Sequence, residues 1–357
     1  MEVLSWRDGW DGVRERLGAW WNREGLALCI TAPRETPLEE TAEPPEPADL
    51  ARRWLDPEYR VRRAEWEMSR TYYGGEAFPS FDPQVGPGNL AAFMGSEPEY
   101  AAETVWFNPC IDDPRTHPPL RFDDRSPHFI AQMRIVEQAR ESSRGRYTVG
   151  LPDLIENVDI LVSLRGMENV LTDMIDRPGF VEERVREINR AWMEAYERIR
   201  ARIQDPWGGT TWSCFRIWGK GRTAKVQCDA SAGFSPGMFR RFVVPCLAEQ
   251  CGWLDHSLYH IDGVQALVHL DELCAIGELD AIQWAPGAGR PAGGNPAWHW
   301  LYRRIVAAGK SVMVTDVEPR QVVPLLESVG PRGLFLTVKA QSEAQARELE
   351  RTVARYR

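Results

Sequence analysis

The run Tyr259-His260-Ile261-Asp262-Gly263 sets an imidazole and a carboxylate two residues apart in a stretch that reads as a β-strand. Side chains at i and i+2 of a strand share a face, so His260 and Asp262 project together while Tyr259 and Ile261 turn the other way. A neutral imidazole beside a carboxylate suits general acid/base catalysis, and the same two groups can ligate zinc or another divalent metal. The plainer alternative is that Asp262 fixes the turn with Gly263 while His260 satisfies a backbone carbonyl. Asp229 follows the strand-like run Lys225–Cys228 and precedes a helix opened by Ser235-Pro236; it either caps that helix or joins His260 and Asp262 as a third catalytic group.

Other strand ends carry candidate substrate-binding groups. Glu156 and Asn157 stand out in the acidic segment after Tyr147–Leu151, where solvated loop charge is the competing account. Gln283 and Trp284 close a third strand, an amide beside an indole that suits stacking and hydrogen bonding of a ligand, or packing on the Pro286 loop. Arg216 ends a strand-like run as a possible anion clamp, and Lys339 follows the last strand, where it could neutralise an anionic substrate.

These residues need a frame that brings strand ends together. Strand-like segments at Leu26–Thr31, Phe78–Phe81, Tyr147–Leu151, one of Thr210–Arg216 and Lys225–Cys228, Ser257–Ile261, Ala281–Trp284, Ser311–Val314 and Leu334–Val338 alternate mostly with helical stripes. Such alternation implies an α/β fold with a parallel sheet and right-handed crossovers, and eight units suggest a (β/α)8 TIM barrel. A doubly wound open sheet is the alternative, without a G-x-G-x-x-G in support of its dinucleotide form. Residues 1–75 read as a helical and loop capping segment plus the first strand, and 76–357 as the main barrel of a single domain. Trp6, Trp10, Val13, Leu17 and Trp20 or Trp21 recur at helical spacing within 5–22.

Composition narrows the function classes. A net charge of −9 over 357 residues, with no basic run, argues against nucleic-acid partners. Neither an export signal beginning at Met1-Glu2-Val3 nor a membrane-length apolar run is found, so a cytoplasmic protein is expected. The seven cysteines lack C-x-x-C spacing and read mostly as small hydrophobes, while the fifteen tryptophans read first as packing and second as a pocket wall.

The segment Gln227-Cys228-Asp229-Ala230-Ser231-Ala232-Gly233-Phe234-Ser235-Pro236-Gly237-Met238-Phe239, continuing to Phe242-Val243-Val244-Pro245, resembles the strand-turn-helix signature of the uroporphyrinogen decarboxylase superfamily. Leu171–Pro178, His260-Ile261-Asp262-Gly263 and the short strand before Pro286 match in the same order, so the resemblance runs from about Gly150 to Ala340. It implies a barrel closest to the superfamily's methyltransferase-like branch. Those relatives hold zinc with a His-x-Cys pair plus a cysteine after the last strand. Here Asp262 replaces the first cysteine and Phe335–Gln341 contains none. The arginine-rich amino-terminal motif of true uroporphyrinogen decarboxylases is not recognisable either.

Two enzymatic readings follow. One is a metal-assisted methyl or other one-carbon transferase centred on His260 and Asp262, with any corrinoid arriving on a partner protein. The other is a lyase or hydrolase that acts on a polar or sugar-derived small molecule by acid/base catalysis through Asp229, His260 and Asp262. A binding protein that kept the frame and lost the chemistry is a third. Superfamily habit adds a homodimer.

Overall fold

In the computed structural model, which describes residues 4–357, the helical stripe of the amino terminus becomes α1 (Trp10–Trp21). Met1–Val3, on which the export reading rests in part, lie outside the described residues. The buried face of α1 is Trp10, Val13, Leu17, Trp20 and Trp21, as the spacing predicts, while Trp6 lies ahead of the helix rather than on its stripe. The strands begin with β1 (Ala27–Pro33), β2 (Thr71–Gly75) and the two-residue β3 (Ser80–Phe81). A short hairpin, β4 (Pro98–Tyr100) and β5 (Val105–Phe107), precedes β6 (Thr148–Val149). A second hairpin, β7 (Gly209–Trp212) and β8 (Ile217–Lys220), leads into β9 (Thr223–Gln227). The series closes with β10 (His256–Asp262), β11 (Ala281–Ala285), β12 (Ser311–Val317) and β13 (Leu334–Lys339).

Seven strands form one sheet in the order β2-β1-β13-β12-β11-β10-β9, parallel throughout except for β2. The class is therefore α/β, with helices between successive parallel strands. The hydrogen-bonded sheet does not close into the expected ring. On one side the free edge of β1 is taken by antiparallel β2, so β3 cannot pair there and pairs with β6 instead. On the other, Leu151 bridges to Trp212 of β7, but β7 pairs onward with β8 rather than with β9. The β7–β8 hairpin also corrects the strand-like reading of Thr210–Arg216: the strand ends at Trp212, Ser213–Arg216 form the turn, and Gly219 and Lys220 belong to β8.

Tryptophans seal the amino-terminal end of the sheet. The Trp20 indole donates to the Gly333 carbonyl ahead of β13 at 3.0 Å, and the Ser311 hydroxyl at the start of β12 donates to the Trp20 carbonyl at 2.7 Å. Trp21 donates to the Trp218 carbonyl at 2.9 Å and stacks on His256 at the start of β10, ring centroids 4.8 Å apart. An apolar plug at this end leaves the carboxyl ends of the strands as the open end. The helix Pro57–Ser69 stands beside that open end, so the amino-terminal segment covers both ends of the sheet. Ser342 caps the last helix by accepting from the Gln345 backbone amide, and the Gln345 side chain accepts from the Gln341 amide. Among the described residues no helix is long and apolar enough to cross a membrane.

Trp20→Ala removes a fully buried side chain and its hydrogen bond from this plug, and is expected to lower the unfolding free energy by about 3–5 kcal/mol. Urea denaturation of the two proteins checks this; a loss within experimental error would show that the plug does not hold the strand bases together.

Candidate active site

Strand alternation decides which side chains face inward. On β10 the half-buried His260 and the exposed Asp262 share the inner face, with Tyr259 and Ile261 buried against the helices. On β11 the inner face carries Gln283, and on β9 Lys225 and Gln227. The ladder aligns Gln227 with His260 and His260 with Gln283, so one row of the sheet carries an amide, an imidazole and an amide side by side.

That row borders a cavity of ≈ 910 Å³ at the carboxyl ends of the strands, lined among others by Cys29, Tyr73, Cys214, Arg216, His260, Gln283, Thr315 and Lys339. The His260 Nδ1 meets the Gln283 amide oxygen, and the Gln283 amide nitrogen donates to the Thr315 hydroxyl at 3.2 Å. With the amide oxygen assigned toward the ring, Nδ1 carries the proton and Nε2 is left as the basic nitrogen. Phe215 packs near the imidazole at 5.4 Å between ring centroids. Burial, followed by the positive charge of Lys225, holds His260 below its ordinary range, so the ring stays neutral near pH 7.

Lys225 is the residue that sequence reasoning missed. Its ammonium is almost wholly removed from water and sits 2.7 and 2.8 Å from the two carboxylate oxygens of Asp153, with a further bond to the Gln227 amide oxygen. Burial alone would strip its proton, but Asp153 more than restores it and its affinity for the proton rises above the ordinary value. The available signal was a charged residue at an inward position of the otherwise buried strand Thr-Ala-Lys-Val-Gln.

Gln227 passes this order along. Its backbone amide donates to Glu156, while its side-chain amide donates to Asp229 at 2.9 Å and to Asp159 at 3.2 Å. Asp159 also accepts from the Asp229 and Ala230 amides at 2.7 and 2.9 Å, which anchors the 3-10 turn Asp229–Gly233. Desolvation at this position, followed by the neighbouring Asp159 carboxylate, raises Asp229 from 3.8 to about 7. Asp229 therefore exchanges its proton in the physiological range.

The remaining expected residues separate into two groups. Arg216 and Lys339 both border the cavity, and neither makes an ion pair or side-chain hydrogen bond among the described residues. Arg216 does not end a strand; it occupies the β7–β8 turn at φ +49°, and that left-handed backbone turns its side chain toward the cavity. Glu156, Asn157 and Trp284 lie away from it. Glu156 is fully buried beneath Gln227, where burial pushes its carboxyl well above the usual range. Asn157 donates to Gln250 at 2.9 Å between helices, and Trp284 faces outward onto Trp298, 5.2 Å between ring centroids. Asp229 and Asp262 both stand outside the cavity lining, so of the three expected catalytic groups only His260 borders it, and Asp262 is close enough to Asp229 to oppose its ionisation.

Among the described residues no three His, Cys, Asp or Glu side chains converge to hold a metal ion. His260 and Asp262 lack the third protein donor that a zinc site requires, so the donor set does not fit that group.

Asp153→Asn leaves the Lys225 ammonium buried without its counter-charge, and is expected to destabilise the fold by about 3–5 kcal/mol. Lys225→Met combined with Asp153→Leu removes both charges and is expected to cost far less. Chemical denaturation of the three proteins decides; a double variant as unstable as the single one would contradict the ion-pair account.

Comparison with protein-family models and with curated proteins returns no match for this chain.

Proposed function

We propose that this protein is a lyase that acts by acid/base catalysis on a small anionic molecule bound at the carboxyl ends of a barrel-like parallel sheet. The observation that carries this reading is the neutral imidazole of His260, held by Gln283 in a ≈ 910 Å³ cavity that also receives Arg216 and Lys339, cations without an ion-pair partner among the described residues. The barrel reading is supported by the order of the parallel strands and by the location of the cavity, the two unpaired seams being local interruptions of the ring. Residues 227–245, similar to the uroporphyrinogen decarboxylase signature, lend it further support.

The chemistry follows from the protonation states. Arg216 and Lys339 hold an anionic group of the substrate and draw developing negative charge toward themselves. His260 Nε2 takes a proton from the adjacent carbon; the electron pair of that C–H bond forms the new double bond and expels a leaving group. Asp229, protonated below about 7, supplies the proton that the leaving group needs. Exchange with solvent then returns a proton from His260 to Asp229. The same polar cavity excludes a purely apolar substrate, which would leave both cations desolvated and unpaired.

Incubation with a library of small carboxylates and phosphate esters in deuterated water, followed by mass spectrometry, tests this reading. The expected outcome is deuterium incorporation or elimination that survives chelation and falls about 10²–10⁴-fold in His260→Gln and in Asp229→Asn. Turnover should climb as His260 loses its proton below the ordinary 6.5 and decline as Asp229 loses its own through about 7. Turnover that survives His260→Gln would overturn the proposal, as would activity that follows stoichiometric zinc lost in His260→Ala; the latter would favour metal-assisted one-carbon transfer.

A further inference from the structure

Beside the cavity lies a groove of ≈ 710 Å³ that shares Thr31, Tyr73, Arg216 and Lys339 with it. Its outer wall is the helix Pro57–Ser69 with Arg70, which contributes Arg60, Arg63, Trp66 and Glu67, and Asp82 completes the charged lining. Five cations thus face two carboxylates in a protein whose net charge is −9. The two acids do not neutralise the groove. Glu67 bonds to Arg63 at 2.7 Å, and Arg63 is also paired with Glu43. Burial pushes Asp82 above the usual carboxylate range, where it accepts from the Ser213 hydroxyl at 2.7 Å and the Gln84 amide at 3.0 Å.

Among the described residues Arg60 and Arg70 have no carboxylate partner in an ion pair. The Arg60 guanidinium donates only to carbonyl oxygens, those of Trp54 and Asp82, both at 2.9 Å. Arg70 donates to the Thr41 carbonyl at 2.9 Å and to Ser69 and Trp66, and packs over the Trp66 ring with its guanidinium carbon 4.9 Å from the centroid. Guanidinium groups fixed by neutral acceptors keep their charge, lose rotamer freedom and retain donors for an anion. Arg216 and Lys339, at the junction with the cavity, continue the same cationic path toward His260.

We infer that the groove is a second anion subsite and that the substrate carries two anionic groups. One is held by Arg216 and Lys339 beside His260, and the other, a carboxylate or a phosphate, is held by Arg60 and Arg70. The assignment rests on the acid/base reading for the reacting end but concerns binding alone. It sets a specificity rule: a monoanion fills only the junction, whereas a dianion whose charges are separated by a short carbon chain spans both sites.

Calorimetry at low ionic strength with inorganic phosphate and with glutarate tests it without turnover. At least one probe is expected to bind, and Arg70→Gln and Arg60→Gln should each weaken it roughly tenfold. Arg62→Gln, which removes the same charge from the exposed side of the same helix, should change affinity by less than about twofold because solvent screens it. Stronger binding of phosphate points to a phosphorylated substrate, and stronger binding of glutarate to a polycarboxylate. Absence of binding by both probes, or equal weakening in the Arg62 and Arg70 variants, overturns the subsite. Should Arg60→Gln fail to fold, Arg70→Gln carries the test. These affinities are read without turnover, so a failed acid/base reading leaves them intact and the two failures are told apart.

Discussion

An ammonium group enclosed between strands has to be neutralised where it stands, and that requirement at Lys225 organises the site. The Asp153 carboxylate can reach it only if the chain after β6 runs directly against β9, which ties together two strands that share no ladder. Ile155 and Asn157, both at positive φ, are the local strain of that path, at +51° and +52°. Gln227, two residues along the same face of β9, accepts from Lys225 and donates to Asp159 and Asp229, so the order imposed by one buried charge reaches the strand end. An apolar residue at 225 would free Asp153 and remove the reason for the tight turn.

The same charge acts on both titratable groups at the neighbouring strand ends. Lys225 disfavours a second cation, which adds to burial in keeping His260 neutral, whereas burial and then the neighbouring Asp159 carboxylate keep a proton on Asp229 against the opposing pull of Lys225. Neighbouring strand ends thus hold a base and an acid whose proton affinities are displaced in opposite directions, the pattern by which one site runs both halves of a proton transfer. Gln283 and Thr315 fix the ring without adding charge, and the Gln283 hydrogen bond offsets part of the lowering that burial and Lys225 impose.

Much of the frame was legible in the sequence because short, mostly buried apolar runs mark parallel strands, and alternation along them sorts the side chains by face. The runs found β1, β10, β11, β12 and β13 to within a few residues, and alternation placed His260 and Asp262 together. It was applied unevenly at Gln283 and Trp284: the same alternation sends Gln283 inward and Trp284 outward, so the two could not both line one pocket. The β7–β8 hairpin was hidden because its turn residues, Ser213–Arg216, contain no glycine and rely on Arg216 in a left-handed conformation. Lys225 was passed over as part of a strand, and the groove could not be seen at all. Arg60 and Arg70, from one helical segment, meet Arg216 and Lys339 only through tertiary packing.

The central claim is that the imidazole at 260 is a neutral base, protonated on Nδ1, under the influence of a buried cation. Heteronuclear NMR of the histidine side chains across a pH series reads both its charge and its tautomer. The account predicts an Nδ1-protonated neutral ring at pH 6.5 that takes up a proton only at lower pH. A His260 that titrates at or above its ordinary 6.5, or that rests as the Nε2 tautomer, would contradict it.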